Sequence, residues 1–128
     1  MRKSKISISG FKIGTAENRE GLTGVTVILA PDGGATAGVD VRGCAPGTRE
    51  TDLLDPRKTV QKIHAVVLSG GSAFGLEAAS GCVKYLAEQG VGFPIGNVCV
   101  PIVCSAVLFD LMIGDEKAYP DLLMGYEA

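Results

Sequence analysis

The sequence predicts an α/β (α+β) fold in one domain, residues 1–128, on three observations. A β-branched apolar run, Gly24 to Ala30, stops at Pro31-Asp32-Gly33-Gly34. A second apolar run, Lys62 to Leu68, stops at Ser69-Gly70-Gly71-Ser72, and the segment that follows carries apolar residues at helical spacing. Strands of this kind, with helices laid on a sheet face, form the layers of an α/β or α+β sandwich. The 128 residues suffice for one core and leave no room for two ordinary domains.

Taken in order, residues 24–30 read as a strand entering a turn, where Pro31 presets φ and the glycines accept positive φ. Residues 35–42 alternate well enough to be the return strand of a hairpin. From Gly43 to Arg57 the chain turns to Gly, Pro, Thr and charge and reads as a long loop, either a surface connector or a functional segment. Residues 62–68 read as a buried central strand. The helix predicted over 73–89 lines up Leu76, Ala79, Val83 and Leu86 along one stripe, and Gly90 stops it. Residues 92–96 form a loop and 98–111 a long strand. Residues 114–117 make a charged turn, and Pro120 takes the first position of a last helix through Tyr126.

Composition bounds the function. Twelve Lys and Arg against fourteen Asp and Glu give a net charge of -2, too balanced for a basic face, so nucleic acid is not an expected partner. The positively charged opening run contains no hydrophobic stretch of signal-peptide length, and the apolar segment 98–112 is interrupted by Pro101, Ser105 and Asp110, so no membrane partner is expected either. Cys44, Cys82, Cys99 and Cys104 show no metal-site spacing and His64 is the lone imidazole; no metal and no cofactor are expected. The cysteines read as reduced thiols, mostly core, in a cytoplasmic protein. An apolar content of 46% is high for so short a chain and points to surface covered by a partner.

The strongest local signal is the strand-to-helix turn Leu68 to Gly75. Two glycines allow close approach, and N–H groups at a helix start favour an anion or a developing oxyanion. The turn lacks the Gly-Lys-Ser/Thr end of a phosphate loop, and Phe74 stands where a nucleophile elbow needs Gly. Two readings remain compatible: Ser72 caps the helix, and the turn walls a pocket. His64, in an apolar strand, reads as a core or interface residue. Asp110, Asp115 and Glu116 read as solvated charges at and beyond a strand end.

Several strings in register carry a family resemblance: Ala37-Gly-Val-Asp-Val-Arg-Gly43, Ala45-Pro-Gly-Thr-Arg-Glu-Thr-Asp-Leu-Leu54, Val67-Leu-Ser-Gly-Gly-Ser-Ala-Phe-Gly-Leu76, Pro101-Ile-Val103, Ala106-Val-Leu-Phe-Asp-Leu111, and Tyr119-Pro-Asp121 with Gly125-Tyr126. Together they resemble the L-aminopeptidase/D-esterase family of autoprocessing hydrolases, which includes the nylon-oligomer hydrolases. The resemblance implies an αββα sandwich similar to N-terminal-nucleophile enzymes. In such enzymes self-cleavage frees a Ser or Thr that attacks amide or ester carbonyls, with no need for histidine.

It also implies that the nucleophile and its helpers lie downstream of the matched region, so the chain reads as the N-terminal, α-chain part and no residue in it is assigned a catalytic role. Where some members carry a Tyr whose hydroxyl stabilises the oxyanion, this chain has Phe109, which can shape a pocket but cannot donate a hydrogen bond. The expected substrate-pocket wall is Gly70, Gly71, Ser72, Phe74 and Phe109. The expected partner is the missing β-chain segment or, in a second reading, further copies of the chain, which would then be a non-catalytic, self-associating module; a truncated product is a third. A small peptide or amide is the expected substrate of the complete enzyme.

Overall fold

The computed structural model describes residues 8–128. Seven strands are formed among them: β1 (Lys12–Asn18), β2 (Thr23–Leu29), β3 (Thr48–Arg49), β4 (Ala65–Ser69), β5 (Phe93–Ile95), β6 (Val98–Val100) and β7 (Val103–Val107). Two α-helices, α1 (Ala78–Glu88) and α2 (Leu122–Glu127), accompany them. Five strands make one sheet in the order β1-β2-β4-β7-β3, and β5 and β6 form a separate two-stranded hairpin. The pairings are antiparallel except at the centre, where β4 and β7 run parallel with Ala65 opposite Val103.

The pleat decides which residues meet the helices, because successive side chains on a strand point to opposite faces. Val25, Val27, Ala65, Val67 and Val103 turn to one face and pack with Ala78, Ala79, Cys82 and Leu86 of α1. Fully burying a Val or Leu side chain contributes about 1.5–3 kcal/mol each, so this layer holds the fold. On the other face a smaller cluster of Ile63, Ile102 and Cys104 is covered by Leu53, Leu54 and Val60 from the loop that precedes β4. The remainder of that face is open: Leu68 and Ile13 are both exposed. At the β3 edge, Arg49 Nη1 donates to Ser80 Oγ at 2.7 Å, tethering the short edge strand to α1.

The structure corrects several sequence expectations. Residues 35–42 are not a return strand, because both edges of β2 are taken by β1 and β4. Ala35 makes only an isolated bridge to Ile63. Proline 101 lacks an N–H and divides the long strand predicted over 98–111. Before it, β6 folds back on β5; after it, β7 joins the sheet and stops at Val107. Residues 43–57 contain β3 and a 3-10 turn at Asp52–Leu54, and residues 92–96 contain β5.

The predicted helix 73–89 begins as a 3-10 segment, Ser72–Glu77, and becomes α-helical only at Ala78. The last helix is capped by Asp121, whose side chain accepts from the Met124 N–H at 2.9 Å, so Pro120 lies before the cap rather than inside the first turn. Two of the cysteines, Cys82 and Cys104, are buried, whereas Cys99 is half-buried and Cys44 exposed; all four are free.

Candidate functional site

The turn after β4 is built by backbone conformation. Gly71 has φ 82° and Ser72 φ 53°, two successive left-handed residues that swing the chain from the sheet into the 3-10 segment. Serine in that region is strained, and its surroundings hold it there. The Ser72 N–H donates to the Leu108 carbonyl at 2.8 Å, and the Leu108 N–H donates back to the Ser69 carbonyl at 2.9 Å. The Gly70 N–H donates to the Gly24 carbonyl at 2.9 Å.

The Gly71 N–H donates to Oδ1 of Asp110 at 2.6 Å, and the Thr23 hydroxyl donates to its Oδ2 at 3.2 Å. Asp110 is therefore not a solvated strand end. Its carboxylate is the anion that the start of the helical segment was expected to attract, supplied by the chain itself. It follows that the N–H groups of Gly70, Gly71 and Ser72 are all committed inside the protein and none is left for a substrate oxyanion. Ser72 makes no side-chain capping bond; the residue preceding the 3-10 segment is Gly71.

The glycines are needed for closeness as well as for φ. A Cβ on Gly70 would collide with the Thr23 hydroxyl and the Asp110 carboxylate, and one on Gly71 would stand 2.5 Å from Tyr119 Cβ and 3.1 Å from Pro120 Cδ. Over this turn the Phe74 ring stacks on Tyr119, with centroids 4.7 Å apart and 18° between planes. Beside it lies an open depression of about 630 Å³ bordered by Thr15, Glu17, Thr26, Gly70, Leu108 and Asp110.

Of the residues expected to wall a pocket, Gly70 borders this depression, Gly71 is buried beneath Tyr119 and Pro120, and Ser72 is half-buried. Phe74 and Phe109 are exposed, Phe109 to 76%. The hydrogen bonds from Leu108 and Asp110 bring the backbone of Phe109 to the turn while its ring projects outward. Thr23, Asp110 and Tyr119 complete the corner and were not assigned to it from sequence. A Gly-Gly turn with committed geometry needs acceptors for its N–H groups, and the carboxylate just after β7 was the available signal.

His64 is buried, and its Nδ1 accepts the Ile102 N–H at 3.1 Å, so the neutral ring carries its proton on Nε2. Burial depresses its pKa, which keeps the acceptor available. Burial raises the Cys82 thiol to about 11 and also raises Cys104, the latter with help from Glu50, so neither thiol is an activated nucleophile. Among the described residues no group of three or more His, Cys, Asp or Glu side chains is placed to hold a metal ion, and no helix is long and apolar enough to cross a membrane.

Residues 6–120 match the family model of peptidase family S58. The chain belongs to that family. Among curated S58-like relatives, an uncharacterized aminopeptidase of Mycobacterium tuberculosis is 50% identical over 105 residues, covering 82% of this chain and 30% of the relative. Its counterpart in Mycobacterium leprae is 51% identical over 105 residues, covering 82% and 29%. A 6-aminohexanoate-oligomer endohydrolase of Paenarthrobacter ureafaciens is 36% identical over 124 residues, covering 97% of this chain and 32% of that enzyme. The chain thus spans about a third of the length of these relatives, and the match takes in the whole Gly70–Asp110 corner.

Proposed function

We propose that the chain supplies the N-terminal part of an amide-hydrolysing S58 enzyme acting on short peptides, esters or linear amides of the 6-aminohexanoate kind, with the nucleophile on a downstream β chain. The observation that carries this reading is the match over residues 6–120, which includes the glycine turn and the carboxylate that locks it. In this reading Gly70, Gly71, Ser72, Phe74 and Phe109 wall the substrate site. They shape it and supply no proton transfer: the turn N–H groups are occupied, and Phe109 has no hydroxyl.

Leu68 on β4 and Leu108, Phe109, Met112 and Ile113 in the segment after β7 are all exposed, and a β-chain segment would cover them. Exposed apolar surface of this kind marks an interaction site, and a second copy of the chain is the other candidate to cover it.

The test is hydrolysis of an aminoacyl anilide by the purified 128-residue chain, alone and joined to the downstream two-thirds of the Mycobacterium tuberculosis relative. No turnover alone and turnover in the joined protein are expected. Turnover by the chain alone would overturn the reading.

A further inference from the structure

His64 immediately precedes β4, one strand length, or about 20 Å of extended chain, from the Gly70 corner. Its ring is only 6% exposed. Since Nδ1 accepts the Ile102 N–H, the ring hydrogen sits on Nε2, and among the described residues nothing accepts it. Nor is that nitrogen sealed in: the fully enclosed side-chain polar atom left without a partner among those residues is Ser105 Oγ. Nε2 therefore opens on the pocket that the ring borders, as a buried donor with nothing to donate to.

That pocket has a volume of about 500 Å³, within the roughly 300–1,000 Å³ range of small-ligand sites. It lies between the turn Ala30–Gly33 and the end of α1, and Leu29, Leu86 and Val91 supply its apolar wall. All three belong to the helix-side core. The pocket is thus on the opposite face of the sheet from the exposed Leu68, so a β-chain segment laid over Leu68 leaves it open.

The charges at its mouth select the guest. Lys12 and Asp32, both exposed, offset each other there. Helix α1 ends against the pocket at Gln89 and Gly90, which turns the negative end of the helix dipole toward it. A carboxylate would meet that end unfavourably, and a guest with donors alone would leave Nε2 without an acceptor. A neutral carbonyl oxygen on a compact apolar body satisfies both conditions.

We propose that the pocket between the Ala30–Gly33 turn and the end of α1 binds a compact, uncharged carbonyl compound, its oxygen accepting from His64 Nε2 and its body against Leu29, Leu86 and Val91. The site is separate from the Gly70 corner and does not depend on the hydrolase reading.

The experiment is an NMR titration of the 128-residue chain with cyclohexanone, read at His64, the lone imidazole of the sequence. Cyclohexanecarboxylate and cyclohexylammonium serve as comparators of similar size. Saturable millimolar shifts are expected at His64 Nε2 and at the methyls of Leu29, Leu86 and Val91, with NOEs from the ligand ring to those methyls. Leu54 and Val66, in the cluster on the other face, should not move. Each comparator should bind about five-fold more weakly or worse, the ammonium for want of an acceptor and the carboxylate for its desolvation beside the helix end. His64→Asn keeps an oxygen near the Nδ1 position for the Ile102 N–H and removes Nε2, so it should weaken cyclohexanone by a similar factor while the Leu86 methyls keep their positions. Absence of saturable shifts at His64, equal binding of either comparator, or full affinity in a folded His64→Asn variant would overturn the proposal. If His64→Asn does not fold, the wild-type NOEs decide, and their absence at Leu29, Leu86 and Val91 overturns it instead.

Discussion

Asp110 joins three parts of the chain that are distant in sequence, since its two oxygens take the Gly71 N–H and the Thr23 hydroxyl while its neighbour Leu108 is bonded to Ser69 and Ser72. Removing that carboxylate leaves a partly buried N–H and hydroxyl without an acceptor, which costs about 1–3 kcal/mol. Asp110→Ala should therefore lower the unfolding free energy by that amount, read as a lower urea midpoint at unchanged m, and Asp110→Asn, which keeps an acceptor oxygen, should recover most of the loss. A change within about 0.5 kcal/mol for Asp110→Ala would mean that water replaces the carboxylate. At this scale the sequence told where the turn was and not how it was wired. The Gly70-Gly71 turn was legible because glycine pairs after a buried strand have few uses. The role of Asp110 was not, because a carboxylate after a strand is most often solvated, and only the tertiary fold returns this one to the turn.

At Gly81 and Gly125, helices α1 and α2 meet backbone to backbone. A Cβ on Gly125 would stand 2.6 Å from the Ala78 carbonyl carbon and 2.8 Å from its Cα, and one on Gly81 would stand 2.5 Å from the Tyr126 nitrogen. Alanine is favoured over glycine in a helix by about 1 kcal/mol, and forcing an added methyl into a packed contact costs about 1–3 kcal/mol. Since the opposing atoms are backbone, the clash should win: Gly125→Ala is expected to lower the thermal midpoint, and a rise would show that α2 slides to make room.

Contact of this kind also explains which elements could be read in advance. The α1 stripe and the β2 and β4 runs bury a dense apolar face, so their periodicity is strong. Strand β1, Lys-Ile-Gly-Thr-Ala-Glu-Asn, carries glycine at position 14, where the Ala128 carbonyl presses in, and charge at its ends, and it leaves no such trace. With β1 unseen, residues 35–42 were the available partner for β2, and the hairpin was drawn on the wrong side.

For the molecule as a whole, the α+β class and the strand–turn–helix at its centre followed from pattern alone. The strand order did not, because β3 pairs with β7 through only two residues and no local signal marks so short an edge. That order has a kinetic consequence. The β1–β2 hairpin closes through a short turn at Arg19–Leu22, whereas the parallel pair β4–β7 at the middle of the sheet forms only after the intervening 3-10 segment, α1 and the β5–β6 hairpin have been gathered in. Loop closure of that length is slow and is rewarded late. Refolding should therefore be limited by assembly of the sheet centre. In a denaturant chevron, Val67→Ala and Val103→Ala should slow refolding nearly in proportion to the stability they remove, while Ala16→Gly in β1 should act mainly by speeding unfolding. The reverse pattern would place the nucleus in the hairpin. With the nucleus at the sheet centre, the parallel contact of β4 with β7, two strands that bury the same helix, sets how long the glycine turn stays unformed while the chain folds.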